Sequence, residues 1–200
     1  MPHLPAASPP MPDLYHVVTY AGPFGYIKPW TAVRDGETFS QPFLSPSTVH
    51  GMAVKLGVSE ILRHRLSHAG ISSQQEQVQA AGWTARKVGD GKALVRQTGI
   101  LTRGVMLSPR LHLAFATPED AATAATDHLC LCRNEDLVFP VEVDGRLVRE
   151  MTPEHFDALD GFELIEGDGP ETIPLGTSRY TGAMMRGRLL VTGDAVRTAP

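Results

Sequence analysis

The stretch VQAAGWTARKVGDGKALVRQTGILTRGVMLSPRLHLAFA, residues 78–116, decides how the chain is read. Both halves, 78–92 and 93–116, are rich in β-branched and apolar residues with bases set among them, and Gly89-Asp90-Gly91 lies where they meet. That pattern predicts two extended segments, or the arms of a long hairpin with Gly-Asp-Gly at its tip and bases on its rungs. Gly89-Asp90-Gly91-Lys92 superficially resembles a phosphate loop, but it lacks the spacing and the Ser or Thr after the lysine. A hairpin tip accounts for it better.

Upstream, LYHVVTYA at 14–21 has the composition of a strand, and 22–39 is a loop or hairpin carrying Gly, Pro and an Asp-Gly turn signal. In QPFLSPSTVHGMAVKLG, residues 41–57, Ser45 is an N-cap and Pro46 suits the first helical position. Val49, Met52, Ala53 and Leu56 follow at i, i+3, i+4 and i+7, and Gly57 stops the helix. A second helix is expected over about 59–69, capped by Ser59 and ended by Gly70. Downstream, 117–127 is an Ala-, Thr- and acid-rich connection. HLCLCR and LVFPVEV are strands, Asp144-Gly145 is a turn, 152–161 is a short helix ending at Gly161, and 179–194 is a strand or hairpin. Strands interrupted by a few helices, without βαβ alternation, define an α+β protein, and a ferredoxin-like core with an elaborated hairpin is the preferred version. Residues 1–13, with five prolines, are expected to be a mobile tail on one domain spanning 14–200.

The 200-residue length suits one domain or two small ones. Apolar residues at 42% and charged residues at 20% argue against disorder and against a membrane protein. No stretch reaches the roughly 18 to 20 apolar residues of a membrane span, and the start lacks a secretory signal, so a cytoplasmic location is expected. Charge is segregated along the chain. Residues 28–110 carry 11 Lys or Arg against 5 Asp or Glu, residues 111–178 carry 3 against 15, and residues 179–200 carry 4 against 1. Such asymmetry suggests a polyanion on one face and a basic protein neighbour on another.

Catalytic signatures are sparse: G-x-S-x-G, H-E-x-x-H and G-x-x-x-x-G-K-[ST] are all missing. Cys130 and Cys132 are too close to bridge without distortion. With His128 they form H-x-C-x-C, but alternate side chains on extended backbone fan out by about 6.8 Å, too far for one ion. If 59–69 is helical, Glu60, His64 and His68 share a face, which would suit a metal-dependent hydrolase. A solvated face is the simpler account. No cofactor, metal or catalytic residue is therefore assigned.

The residues do suit a nucleic acid backbone. The first turn of the helix at 46–56 leaves amides unpaired at the positive end of the helix dipole, where a phosphate can sit. Ser45, Ser47 and Thr48 add hydroxyls, Gly51 removes bulk, Lys55 adds charge, and His50 supplies a ring for hydrogen bonding or stacking. Lys28, Trp30 and Arg34 place an aromatic among bases, as single-stranded bases require. Arg86, Lys87, Lys92, Arg96, Arg103 and Arg110 extend the basic track.

KPWTAVRDGETFSQPFLSPSTVHGMAVKLG, residues 28–57, resembles the N-terminal signature of the Cas-five group of RAMP proteins, which cap the 5′ handle of the guide RNA in multi-subunit CRISPR effector complexes. Residues 100–116 are similar to the family's later core strand. LCLCRNEDLVFPVEV, residues 129–143, resembles its next segment, although Cys132-Arg133-Asn134-Glu135 stands without the family's turn glycine. The resemblance implies a modified ferredoxin-like (RRM/RAMP) domain with an antiparallel sheet and a protruding thumb hairpin at roughly 72–99. It implies handle contacts from Lys28, Arg34, Ser45, Ser47, Thr48, His50 and Lys55, supported by Arg103 and Arg110. The Tyr, Lys and His set of the RNA-cutting branch does not map onto the chain, so no nuclease activity is expected. Implied partners are the crRNA handle, the backbone and large subunits of a type I or type IV complex, and target DNA at its flanking motif. The alternatives are the metal-dependent hydrolase or nuclease and a protein-only interaction module.

Overall fold

The computed structural model describes residues 12–29, 36–177 and 182–197. Most of the predicted tail, together with Trp30 and Arg34, lies outside the described residues. The order is β1 (Tyr15–Ala21), β2 (Phe24–Gly25), β3 (Glu37–Phe39), α1 (Pro46–Leu56), β4 (Arg63–Ser67), β5 (Ile71–Val88), β6 (Gly91–Leu107) and β7 (Arg110–Phe115). There follow α2 (Pro118–Ala124), β8 (Leu129–Cys130), β9 (Leu137–Pro140), β10 (Val148–Met151), α3 (Pro153–Asp157), β11 (Gly161–Glu166), β12 (Ile173–Thr177) and β13 (Met184–Thr192). This is a mixed α+β protein whose sheets are mostly antiparallel. A nine-stranded sheet runs β12-β13-β11-β4-β7-β1-β9-β8, with β10 also on β1. A four-stranded sheet has β6 joined to β2, β3 and β5, and only its β3–β6 pairing is parallel.

Strand alternation gives the large sheet two distinct faces. On the helix face, Val18, Tyr20, Leu66, Leu111, Leu113 and Phe115 pack against Met52, Ala53 and Leu56 of α1 and Ala121 and Ala124 of α2. On the second face, Tyr15, Val17, Ala114 and Met151 pack around Phe156 of α3. The ring of Phe156 meets that of Tyr15 edge-on at 5.7 Å.

The helix at 46–56 has the predicted ends: Ser45 is extended and accepts from the Thr48 amide, while Gly57 takes a left-handed φ of 69°. The turn at Asp144-Gly145 is present, with φ of 54° and 71°. Three expectations are corrected, the last of them at Gly161. The connection at 117–127 contains α2, nucleated by Thr117, whose side chain accepts from the Asp120 amide above an acidic first turn. The helix expected at 59–69 is instead β4, laced into the sheet between β7 and β11.

That second misreading has a physical cause. Leu62, Leu66 and Ala69 sit at helical spacing, but the ladder with β7 satisfies the segment's backbone, and alternation sends His64 and Leu66 to one face and Arg63 and Arg65 to the other. Ser59 caps no helix; its hydroxyl and amide donate to the Asp120 carboxylate of α2. Gly161 does not close α3 but opens β11. With φ of 141°, it brings the backbone so near β4 that a Cβ would lie 2.6 Å from the Leu66 carbonyl oxygen.

β5 and β6 form one long antiparallel hairpin, paired from Ile71↔Met106 to Val88↔Gly91, with a register shift between Gln79 and Trp83. Its turn is at Gly89, φ 60°. No helix among the described residues is long and apolar enough to cross a membrane.

Candidate nucleic-acid interface

The mouth of α1 is narrower as an anion cradle than its sequence suggests. Pro46 has no amide, and the amides of Thr48 and Val49 turn back to the Ser45 carbonyl at 2.9 and 3.0 Å. The three hydroxyls bond to one another: Ser45 Oγ lies 3.0 Å from Ser47 Oγ and 2.9 Å from Thr48 Oγ1. Beside this turn runs a groove of about 470 Å³, lined by Pro46, Val49, His50 and Ala53 on one side and by Glu60, His64 and Glu163–Glu166 on the other. Glu60 and Glu166 therefore offset the positive helix end. Lys55, at the far end of α1, is ion-paired with Asp127, both about half exposed.

The hairpin presents a different surface. Direct cross-strand pairing puts Trp83 opposite Arg96, Ala85 opposite Leu94, and Lys87 opposite Lys92, all on one face. Trp83 is 64% exposed, and the Arg96 guanidinium lies over its ring at 5.9 Å. Leu94 is equally open. Among the described residues, no carboxylate lies within ion-pair distance of Lys87, Lys92 or Arg96. Two lysines directly opposite each other repel, and an anion between them would relieve that cost. Arg86, paired with Ala93, points to the hairpin's other face. Trp83 was not among the predicted residues; the only sequence signal beside it is Arg86-Lys87, three and four positions on.

At the hairpin base the cations are already engaged. Arg103 is ion-paired with Glu76 and lies over the Tyr26 ring at 5.1 Å. The same pair of groups meets Arg133, whose guanidinium stands 5.5 Å from the Tyr26 ring and 3.6 Å from Glu76, while its other nitrogens hold the buried Asp136. Lys28 is exposed. Arg110 is exposed at the start of β7, and strand alternation from Ala114 and His112 assigns it to the second face, opposite the one that carries α1.

The Glu60, His64, His68 alignment required a helix and is lost with it. His64 and His68 are buried in β4 and just beyond it. His64 Nε2 accepts from the Leu164 amide at 3.4 Å, and His68 Nδ1 accepts from the Gly70 amide at 3.1 Å. Cys130 donates its thiol to the Arg133 carbonyl, and Cys132 is exposed.

Buried histidines give the fold a pH signature, and burial pushes His68 down as it does the two that follow. Burial pushes His64 down to about 4, with Glu163 opposing. Burial pushes His112 down to about 3, and Arg149, Arg110, Arg197 and Arg65 act in the same direction. The His112 ring bonds to Thr19 Oγ1 at 2.9 Å. An unfolded chain takes up these protons near pH 6.5 and the native one does not, so stability is full above about pH 6.5 and falls toward the folded values. Urea unfolding at pH 7 and pH 5 should differ by roughly 2 kcal/mol for each of His64 and His112. His112→Gln should make the fall shallower; a midpoint that rises on acidification would contradict the burial of both rings.

No family model matches the chain, and no curated protein is significantly similar to it.

Proposed function

We propose that the chain is a non-catalytic RNA-binding subunit of a multi-subunit CRISPR ribonucleoprotein that anchors the 5′ handle of the guide RNA. The observation that carries this reading is the distal hairpin face, where an exposed tryptophan and three cations without carboxylate partners form a surface suited to stacked bases and phosphates. In this reading the β5–β6 hairpin is the thumb, and the body is a modified ferredoxin-like domain of the RAMP type, as the resemblance of residues 28–57 implies. Lys28 and the hydroxyls at the α1 mouth add contacts, and the acidic section at 111–178 faces neighbouring subunits in the cytoplasm. Inspection of the flanking motif of target DNA belongs to the same proposal.

The test begins with the purified protein. Its 260/280 nm absorbance ratio should be raised, and the recovered RNAs should share one 5′ sequence. With about six phosphates held on a single strand, the slope of log K against log salt should be near −4. Protein free of nucleic acid, with a flat salt response, would overturn the reading. The protein-only interaction module would then be favoured, for which the exposed Leu189 and Val191 of β13 offer an apolar surface.

A further inference from the structure

Three arginines that the sequence did not single out as a group gather on the second face of the large sheet. Register aligns Phe139 of β9, Ala21 of β1, Arg110 of β7 and Ser67 of β4 in one row across four strands. The adjoining row is Thr19, His112 and Arg65. Arg149 of β10, paired with Val17, belongs to the same face. Arg197 reaches it from the C-terminal segment, which is hydrogen-bonded to His68, and one of its nitrogens donates to the Ser108 carbonyl. Register sets the His112 row between that of Arg110 and that of Arg149, two residues from each along β1, and the charges of Arg110, Arg149 and Arg197 all push the buried His112 down, adding to the effect of burial.

Among the described residues, these three share with Arg146, Arg186 and Arg188 the lack of a carboxylate at ion-pair distance, but by register Arg110 and Arg149 stand on one face of the large sheet. Arg63, Arg65, Arg103 and Arg133 each have a carboxylate within ion-pair distance; among the described residues, Arg110, Arg149 and Arg197 have none. Asp160 acts on Arg197 only from beyond that distance. Arg197 Nε is buried with no hydrogen-bond partner. Such a concentration of like charge costs folding free energy unless an anion fills it. Phe139 is 50% exposed at the edge of the same row, with the His128 ring 5.7 Å away. By strand spacing, Phe139 and Arg110 are about 10 Å apart, so one nucleotide can stack on the ring while its neighbour's phosphate meets the guanidinium.

We propose that this row is a second subsite for single-stranded RNA: a base stacks on Phe139, and successive phosphates lie against Arg110, Arg149 and Arg197. The inference rests on the RNA-binding reading above and extends it to the sheet face opposite α1. A charged strand would then be held at two places, the hairpin and this face.

The experiment titrates the full chain, stripped of co-purified nucleic acid, with a fluorescent oligouridylate at several salt concentrations. For Arg110→Gln with Arg149→Gln, the salt slope should become shallower by about 1.4, and affinity should fall about tenfold or more. The Arg110→Lys, Arg149→Lys pair should keep most of the slope. Phe139→Ala should lose affinity with the slope unchanged, and Arg146→Gln, in the β-turn near Asp144, should bind as the parent does. Circular dichroism and urea midpoints check that each variant folds. Should the Gln pair fail to fold, photocrosslinking of the parent to oligouridylate carrying 4-thiouridine decides instead, with Phe139 expected in the labelled peptide. Parental binding by the Gln pair, or a crosslink confined to the hairpin, overturns the subsite while leaving the RNA-binding reading intact. A parent that binds no oligouridylate at all overturns both.

Discussion

The Glu163→Ala variant should unfold at far lower urea than the parent, with a loss of about 3 to 5 kcal/mol. Glu163 is almost wholly buried and receives Arg63 through Nε at 2.6 Å and Nη2 at 2.8 Å, as well as the His64 amide at 3.2 Å. Arg65, fully buried, has Nη2 3.1 Å from the same carboxylate and another nitrogen on Thr192. Both guanidinium groups lie over the Phe156 ring, at 5.2 and 5.7 Å. Removing the carboxylate strands Arg65 in the interior, because the remaining acid, Asp157, is 3.8 Å from it, half exposed, and already holds Arg63 at 2.8 Å. The cost is mainly that of an uncompensated buried charge. A Glu163→Met, Arg65→Met double variant should therefore recover much of the loss, since it removes both members and leaves the Arg63–Asp157 pair. A loss under about 1 kcal/mol for Glu163→Ala, typical of an exposed pair, would mean that water reaches the cluster.

Replacing Lys87, Lys92 and Arg96 together with Ala should cut RNA affinity by at least about tenfold and make the salt slope shallower by about 2, at roughly 0.7 for each lost phosphate contact. Stability should hold or rise slightly, because the opposed Lys87 and Lys92 repel in the free protein and contribute nothing to the core. That combination separates a binding surface from a structural one. Trp83→Ala should behave differently: it removes stacking worth about 1 to 3 kcal/mol per base and leaves the salt slope nearly unchanged. Unaltered affinity in the triple variant would remove the hairpin from the interface.

The site was legible in part. Lys87, Lys92 and Arg96 could be picked from the chain because a hairpin tip positions its bases by local pairing alone. Lys55 and Arg103 looked equivalent to them in sequence, yet the fold pairs Lys55 with Asp127, 72 residues away, and Arg103 with Glu76 across the hairpin. Trp83 went unmarked, since alternation places it beside Arg96 only once the register, including the shift after Gln79, is set. At the α1 mouth the caps were legible, but the inward bonding of the hydroxyls and the acidic groove wall were not.

What the sequence determined by itself is whatever a few neighbouring residues decide: the Ser45 cap and Gly57 stop of α1, the turn at Gly89, the strand at β1, and the opposite charge of successive sections. Tertiary structure alone decided that residues 63–67 form a strand and which cations keep their charge for a partner. The reason is reach. A cap or turn satisfies its backbone groups within about four residues, whereas the carboxylate that neutralises Arg63 lies 100 residues along the chain and meets it only when β4 and β11 are brought together.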